Sequence, residues 1–99
     1  EPDEGRGPVD FKISRGQDIT VAEIKLSSNA QYMHGYEVQV EEYAKAEQTE
    51  NMVYVLVDVG NTRRMEKFIN RYNRDIDERK IVPEVILIDS KSKKSASIT

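Results

Sequence analysis

Apolar and polar residues alternate along the first part of the chain. Val9, Phe11 and Ile13 fall on one face of an extended segment and Asp10, Lys12 and Ser14 on the other. Farther on, Ala22, Ile24 and Leu26 oppose Glu23 and Lys25. A period of two predicts half-buried strands over residues 8–14 and 20–26, and the turn composition Arg15-Gly16-Gln17-Asp18 joins them as a hairpin. Ser27-Ser28-Asn29 then stops the second strand and offers a helix cap. Tyr36, Val40, Tyr43 and Ala44 recur at helical spacing, so a helix is expected from near Tyr32 or His34 to about Glu47, with Gly35 weakening its first turn. Residues 52–59, Met-Val-Tyr-Val-Leu-Val-Asp-Val, are almost continuously apolar. That predicts a strand covered on both faces, as in a parallel sheet. Gly60-Asn61-Thr62 breaks it, and Met65, Phe68, Ile69, Tyr72 and Ile76 mark one side of a second helix reaching about Lys80. After Pro83, Val85-Ile86-Leu87-Ile88 reads as a last short strand.

The order strand, strand, helix, strand, helix, strand predicts an α/β domain, a mixed sheet with helices packed on it. Residues 1–89 are expected to form one domain and residues 90–99 a flexible Lys/Ser-rich tail. The length of 99 residues allows no more than that. The opening Glu1-Pro2-Asp3-Glu4-Gly5 reads as a piece of a longer protein. There are no cysteines, which removes disulfides and thiolate metal sites and fits a reducing, cytoplasmic setting. No apolar run is long enough to span a bilayer, and no signal peptide pattern is present.

Net charge is −3. Acidic residues crowd the first predicted helix and basic ones the second, but Glu66, Asp75, Asp77 and Glu78 interleave with Arg63, Arg64, Lys67, Arg71 and Arg74. An ordinary solvated helix face explains that pattern better than a nucleic-acid patch does.

The hairpin carries the candidate chemistry. If residues 15–18 close it, Ser14 faces Ile19, Phe11 faces Ala22 and Val9 faces Ile24, apolar against apolar on the side expected to meet the core. The same register sets Asp10 opposite Glu23, with β-carbons about 4.5–5.5 Å apart. Two carboxylates so placed repel, and either Lys12 and Lys25 on the diagonals or a divalent cation would compensate. Hard Mg²⁺ is commonly held by one or two carboxylates with water and phosphate. On spacing alone, a surface hairpin with two exposed cross-strand salt bridges, each worth about 0–1 kcal/mol, fits slightly better.

Pro8-Val9-Asp10 followed by Glu23-Ile24-Lys25 resembles the signature of the PD-(D/E)XK nuclease superfamily. Gln39-Val40-Glu41-Glu42-Tyr43 resembles the Q-x-x-x-Y motif of its RecB-like branch. The resemblance spans roughly residues 5–60 and implies a restriction-endonuclease-like core that hydrolyses DNA with Mg²⁺, or Mn²⁺ in its place. It implies Asp10, Glu23 and the Ile24 carbonyl as metal ligands and Lys25 as the group assisting the attacking water. Gln39 and Tyr43 then stand on the helix face that meets the active centre, and Arg6, Lys12 and Arg15 are expected at the DNA. The chain departs from the pattern at its start, where the superfamily's first helix has no counterpart. A homodimer or a partner segment supplying that helix is therefore expected, and the alternative function is an inactive nuclease-like fold that binds DNA or another protein.

The remaining residues carry weaker signals. His34, the only histidine, reads as a surface or helix-start residue, and Asp58 as part of a strand-end turn. Tyr32 and Tyr36 could stack on a splayed base, but Tyr36 fits core packing better.

Overall fold

A computed structural model of the chain describes residues 11–78 and 80–90. Strand β1 is Phe11–Arg15 and β2 is Asp18–Leu26. A helical rod follows: α1 (Tyr32–His34), a π-helical turn (Gly35–Gln39) and α2 (Val40–Ala46). Backbone dihedrals at the joints stay right-handed helical, with φ −63° at His34 and −64° at Val40, so the rod is continuous. Then come β3 (Asn51–Asp58), α3 (Thr62–Asp77) and β4 (Glu84–Asp89). The domain is α/β with the element order expected from the pattern. Residues 8–10, expected in the first strand, and the tail from residue 91 lie outside the described residues.

The hairpin closes on Gly16-Gln17, with Arg15 paired to Asp18. Gly16 sits at φ +63°, a left-handed conformation that glycine adopts without a Cβ clash. Ser14 pairs with Ile19 and Phe11 with Ala22, the register that the facing apolar residues predict. β2 and β3 pair in parallel, as do β3 and β4, giving a mixed sheet in the order β1-β2-β3-β4.

Strand starts and ends are tied by side chains. Thr49 Oγ1 and Asn51 Nδ2 both donate to the Ile19 carbonyl, at 2.6 and 3.2 Å, and so hold the entry of β3 against β2. At the other end, Ser27 Oγ accepts from the Val59 amide at 2.9 Å. Asp58 accepts from the Gly60 amide at 2.8 Å, the strand-end turn expected of it. Asn61 caps α3 by accepting from the Arg64 amide at 3.1 Å.

Both parallel connections step the same way across the sheet. Crossovers of one hand then lay the rod and α3 on the same face. That face carries Val21, Glu23 and Lys25 of β2 and Tyr54 and Leu56 of β3. Tyr32, Tyr36, Tyr54, Leu56, Met65 and Phe68 form one buried cluster, and Val21, Val40, Tyr43 and Ala44 a second. Tyr36 packs edge-on against Phe68 with ring centroids 5.0 Å apart.

Three expectations are corrected. The face of Phe11, Ile13, Ala22, Ile24 and Leu26 does not meet the helices; the face of Glu23 and Lys25 does. Alternation names two faces without saying which is covered, and here the covered one holds an acid–base pair. β3 is covered by helices on one face only among the described residues: Tyr54 and Leu56 are buried, while Val53, Val55 and Val57 remain partly exposed. On α3, Ile69 and Ile76 point to solvent and Asp75 is buried instead. The buried stripe steps through Met65, Phe68, Tyr72 and Asp75, and residues 69 and 76 lie about 100° farther round.

Candidate catalytic site

Glu23 and Lys25 stand two residues apart on β2 and therefore share a face. The rod crosses directly above them, which leaves Glu23 only 3% exposed. Lys25 Nζ lies 3.2 Å from Glu23 Oε2. In so dry a place the pair is held by mutual attraction, because each charge alone would carry a heavy desolvation cost.

Two neighbours complete the arrangement, and neither was expected at the site from the sequence. Tyr54 is the register partner of Glu23 across the parallel ladder and is fully buried. Its hydroxyl donates to the Tyr32 carbonyl, fixing the ring beneath the start of the rod. Burial first, then the nearby Glu23 carboxylate and Tyr32, push its phenol well above the usual tyrosine range, so Tyr54 stays neutral. Gly35 is the second. A Cβ at that position would come within 3.0 Å of Lys25 Cγ and Cε and 3.1 Å of Tyr54 Cε1. The residue that weakens the helix is the one that lets Lys25 pass beneath it.

Gly35 also opens the π-helical turn, whose last residue is Gln39. Such turns add a residue to the helical repeat and commonly accompany functional sites. Gln39 Oε1 is buried with no hydrogen-bond partner among the described residues. Tyr43, one turn farther on, is buried against Val21, Val40 and Ala44. The Q-x-x-x-Y face thus meets the sheet, with Tyr43 in the apolar core and Gln39 as its polar member.

Other expected residues are placed as follows. Asp10 and Arg6 lie outside the described residues. Ile24 is a half-buried ladder residue opposite Val55. Lys12 is on the helix-covered side, 3.4 Å from Glu47. Arg15 belongs to the opposite face of β1, the side of Phe11 and Ile13, and so does not flank Glu23; a strand alternates, and residues 12 and 15 differ by an odd step. His34 is exposed. Tyr32 and Tyr36 are buried and not available for stacking on a base, and Arg64 lies over the Tyr32 ring at 5.4 Å. Among the described residues, no group of three or more His, Asp or Glu side chains gathers at one place, and no helix is long and apolar enough to cross a membrane.

A second buried polar cluster ties α3 to the rod. Tyr36 donates its hydroxyl to Asp75 Oδ2 at 2.8 Å, and Arg71 Nε donates to the same oxygen at 3.1 Å. Arg71 also pairs with Glu37, and Lys80 Nζ lies 3.5 Å from Asp75 Oδ1. Burial raises the Asp75 carboxyl, but the hydrogen bonds from Tyr36 and Arg71 and the charges of Arg71 and Lys80 outweigh it and hold the group below the usual aspartate range. The same burial and Asp75 bond push the Tyr36 phenol far up.

Residues 1–61, more than half of the chain, match the family model described as Domain of unknown function (DUF8371). The chain belongs to the DUF8371 family. The DUF8371 match takes in the hairpin, the rod and β3, hence every residue of the site around Glu23, and leaves α3 and β4 beyond it. No curated protein and no solved structure matches the chain.

Proposed function

We propose that this DUF8371 chain is a metal-dependent deoxyribonuclease with a restriction-endonuclease-like core of the PD-(D/E)XK, RecB-like kind. The observation that carries the reading is the Glu23–Lys25 pair on one strand, 3.2 Å apart, roofed by a helix that presents a buried amide oxygen of Gln39. A surface hairpin held by exposed salt bridges would leave both side chains wet; here the acid is buried and the amide oxygen lacks a donor among the described residues.

The donor chemistry suits a hard cation. Glu23 offers a carboxylate and Gln39 an amide oxygen, and Asp10 would add a second carboxylate. Asp10, Glu23 and the Ile24 carbonyl would hold Mg²⁺, with Mn²⁺ as substitute. Bound there, the ion would polarise the phosphoryl group and acidify a water. Lys25, already desolvated, would orient the attacking water and offset negative charge growing on phosphorus-bound oxygens. Gln39 would steer the ammonium or a phosphate oxygen, and Tyr43 would seat the helix that carries it. Tyr54, held neutral, would line the site without competing for the ion. Arg6 and Lys12 remain the candidates for phosphate contacts, and Arg15 does not.

The test has two readouts. Adding Mg²⁺ or Mn²⁺ should raise the melting temperature by a few degrees, as mass action requires of a ligand bound only by the folded state, and Asp10→Asn should abolish the rise. Supercoiled DNA should be nicked by the wild-type chain and at least about 100-fold more slowly by Lys25→Ala, the usual scale for loss of a group acting at the transition state. Metal stabilisation without cleavage would favour an inactive nuclease-like fold that binds DNA or protein. Absence of both effects would overturn the assignment.

A further inference from the structure

Basic and acidic residues interleave along the sequence of α3 but not around the helix. At about 100° per residue, Arg63, Lys67, Asn70 and Arg74 fall within roughly 60° of arc and run about 16 Å along the axis. Glu66 and Asp77 lie beyond Asn70, on the flank away from the rod. On the near flank Arg71 pairs with Glu37 and Arg64 covers the Tyr32 ring, so the basic arc borders the rod. Between the two runs an open groove of about 490 Å³, lined by Met33 and Glu37 of the rod and by Lys67, Asn70, Arg71 and Arg74 of α3. The acid in that lining, Glu37, is already neutralised by Arg71, and Glu78 at the helix end is held by Lys80 at 3.3 Å. Arg63, Lys67 and Arg74 are exposed and make no ion pair among the described residues.

We propose that this groove is a docking track for the phosphate backbone of DNA. Three unpaired cations in a line along one helix suit a linear polyanion, whereas a compact anion calls for groups that converge. Each phosphate they neutralise releases condensed counterions, which gives affinity without any base contact. Asn70, between Lys67 and Arg74, adds an amide donor of the kind that fixes register on phosphate oxygens. Two other anionic partners fit less well. A membrane surface takes up the apolar face of an amphipathic helix, and α3 spends that face on the core through Met65 and Phe68. Its exposed Ile69 and Ile76 lie more than about 100° round from the cations. An acidic protein segment would bind through buried apolar anchors as well as charge, and the groove offers only Met33 for them. The cations of the track lie beyond residues 1–61, which match the family model, and the groove shares no residue with the site around Glu23. The choice of DNA as the polymer rests on the nuclease reading; the charge of the groove does not.

Fluorescence anisotropy of the full 99-residue chain with labelled duplexes of two unrelated sequences, in EDTA to prevent metal-dependent cleavage, tests this. Three phosphate contacts predict a salt slope of about −2.7, an affinity loss of about 40-fold between about 50 and 200 mM salt. Lys67→Ala and Arg74→Ala should each reduce the slope by about 1 and weaken both duplexes alike. Both positions are exposed within α3, where alanine keeps the helix. Arg15→Ala, the same charge change on the other face of the sheet, should leave the slope unchanged. No binding at low salt, an unchanged slope in the Lys67 and Arg74 variants, an equal fall for Arg15→Ala, or tighter binding of poly-glutamate than of DNA would overturn the proposal. Nicking in Mg²⁺ is scored apart. Cleavage with binding indifferent to Lys67 and Arg74 removes the track alone, and track-dependent binding without cleavage removes the nuclease reading alone.

Discussion

Lys25 reaches its place because residue 35 has no side chain, and that contact decides between two opposed effects of one substitution. In an exposed helix, Gly→Ala gains up to about 1 kcal/mol of propensity. At position 35 the new methyl would press on Lys25 Cγ and Cε at 3.0 Å and on Tyr54 Cε1 at 3.1 Å. Tyr54 cannot retreat, being fully buried with its hydroxyl donated to the Tyr32 carbonyl. Lys25 can turn away only by giving up the 3.2 Å pairing of its Nζ with the buried Glu23. Overpacking of this kind costs about 1–3 kcal/mol, so Gly35→Ala should lower stability by about 1 kcal/mol net, read as a fall in the urea midpoint at constant slope. At this scale the E-x-K pair was legible, since a period of two puts residues 23 and 25 on one face whatever else happens. Tyr54 was not, because its place opposite Glu23 is set by how β2 and β3 pair.

The two helical elements are joined through one carboxylate. Asp75, 2% exposed, takes the Tyr36 hydroxyl from the rod and the Arg71 and Lys80 charges from its own side. Its folded-state pKa is lowered, so its stabilisation is full above the ordinary aspartate value near 4 and drains away as pH falls through the depressed value. Asp75→Asn should therefore cost about 1–3 kcal/mol at pH 7, since it removes the buried charge that accepts from Tyr36 and Arg71, while Arg71 keeps Glu37 as a partner. It should also flatten the loss of stability that the wild type shows below about pH 4, the range in which free aspartates protonate. Urea melts at pH 7, 5 and 3 would show both; an equal acid limb in the two proteins would remove Asp75 from this role. The periodicity of α3 located the helix but not the face: Ile69 and Ile76 are exposed while an aspartate is buried. Hydrophobicity ranks side chains singly, and a buried acid is tolerated only where partners from another element arrive.

Across the whole molecule, protection should grade from the centre of the sheet outward. β3 is paired on both sides and holds Tyr54 and Leu56 fully buried, whereas every residue of β1 is exposed. Amide exchange in β3 should be slower than in β1 by about 100-fold or more, since edge elements open at lower free energy than the core; comparable rates would mean that the hairpin folds into the core more tightly than its burial indicates. Element order, the hairpin register and the sharing of a face by Glu23 and Lys25 followed from the sequence alone, because turn chemistry and the two-residue and 3.6-residue repeats act locally. The side on which the helices settled and the burial of Glu23 and Asp75 were decided by tertiary structure. Crossover handedness acts on the sheet as a whole, and once both helices share a side, the same alternation that makes one face a core leaves the other without a helix over it among the described residues.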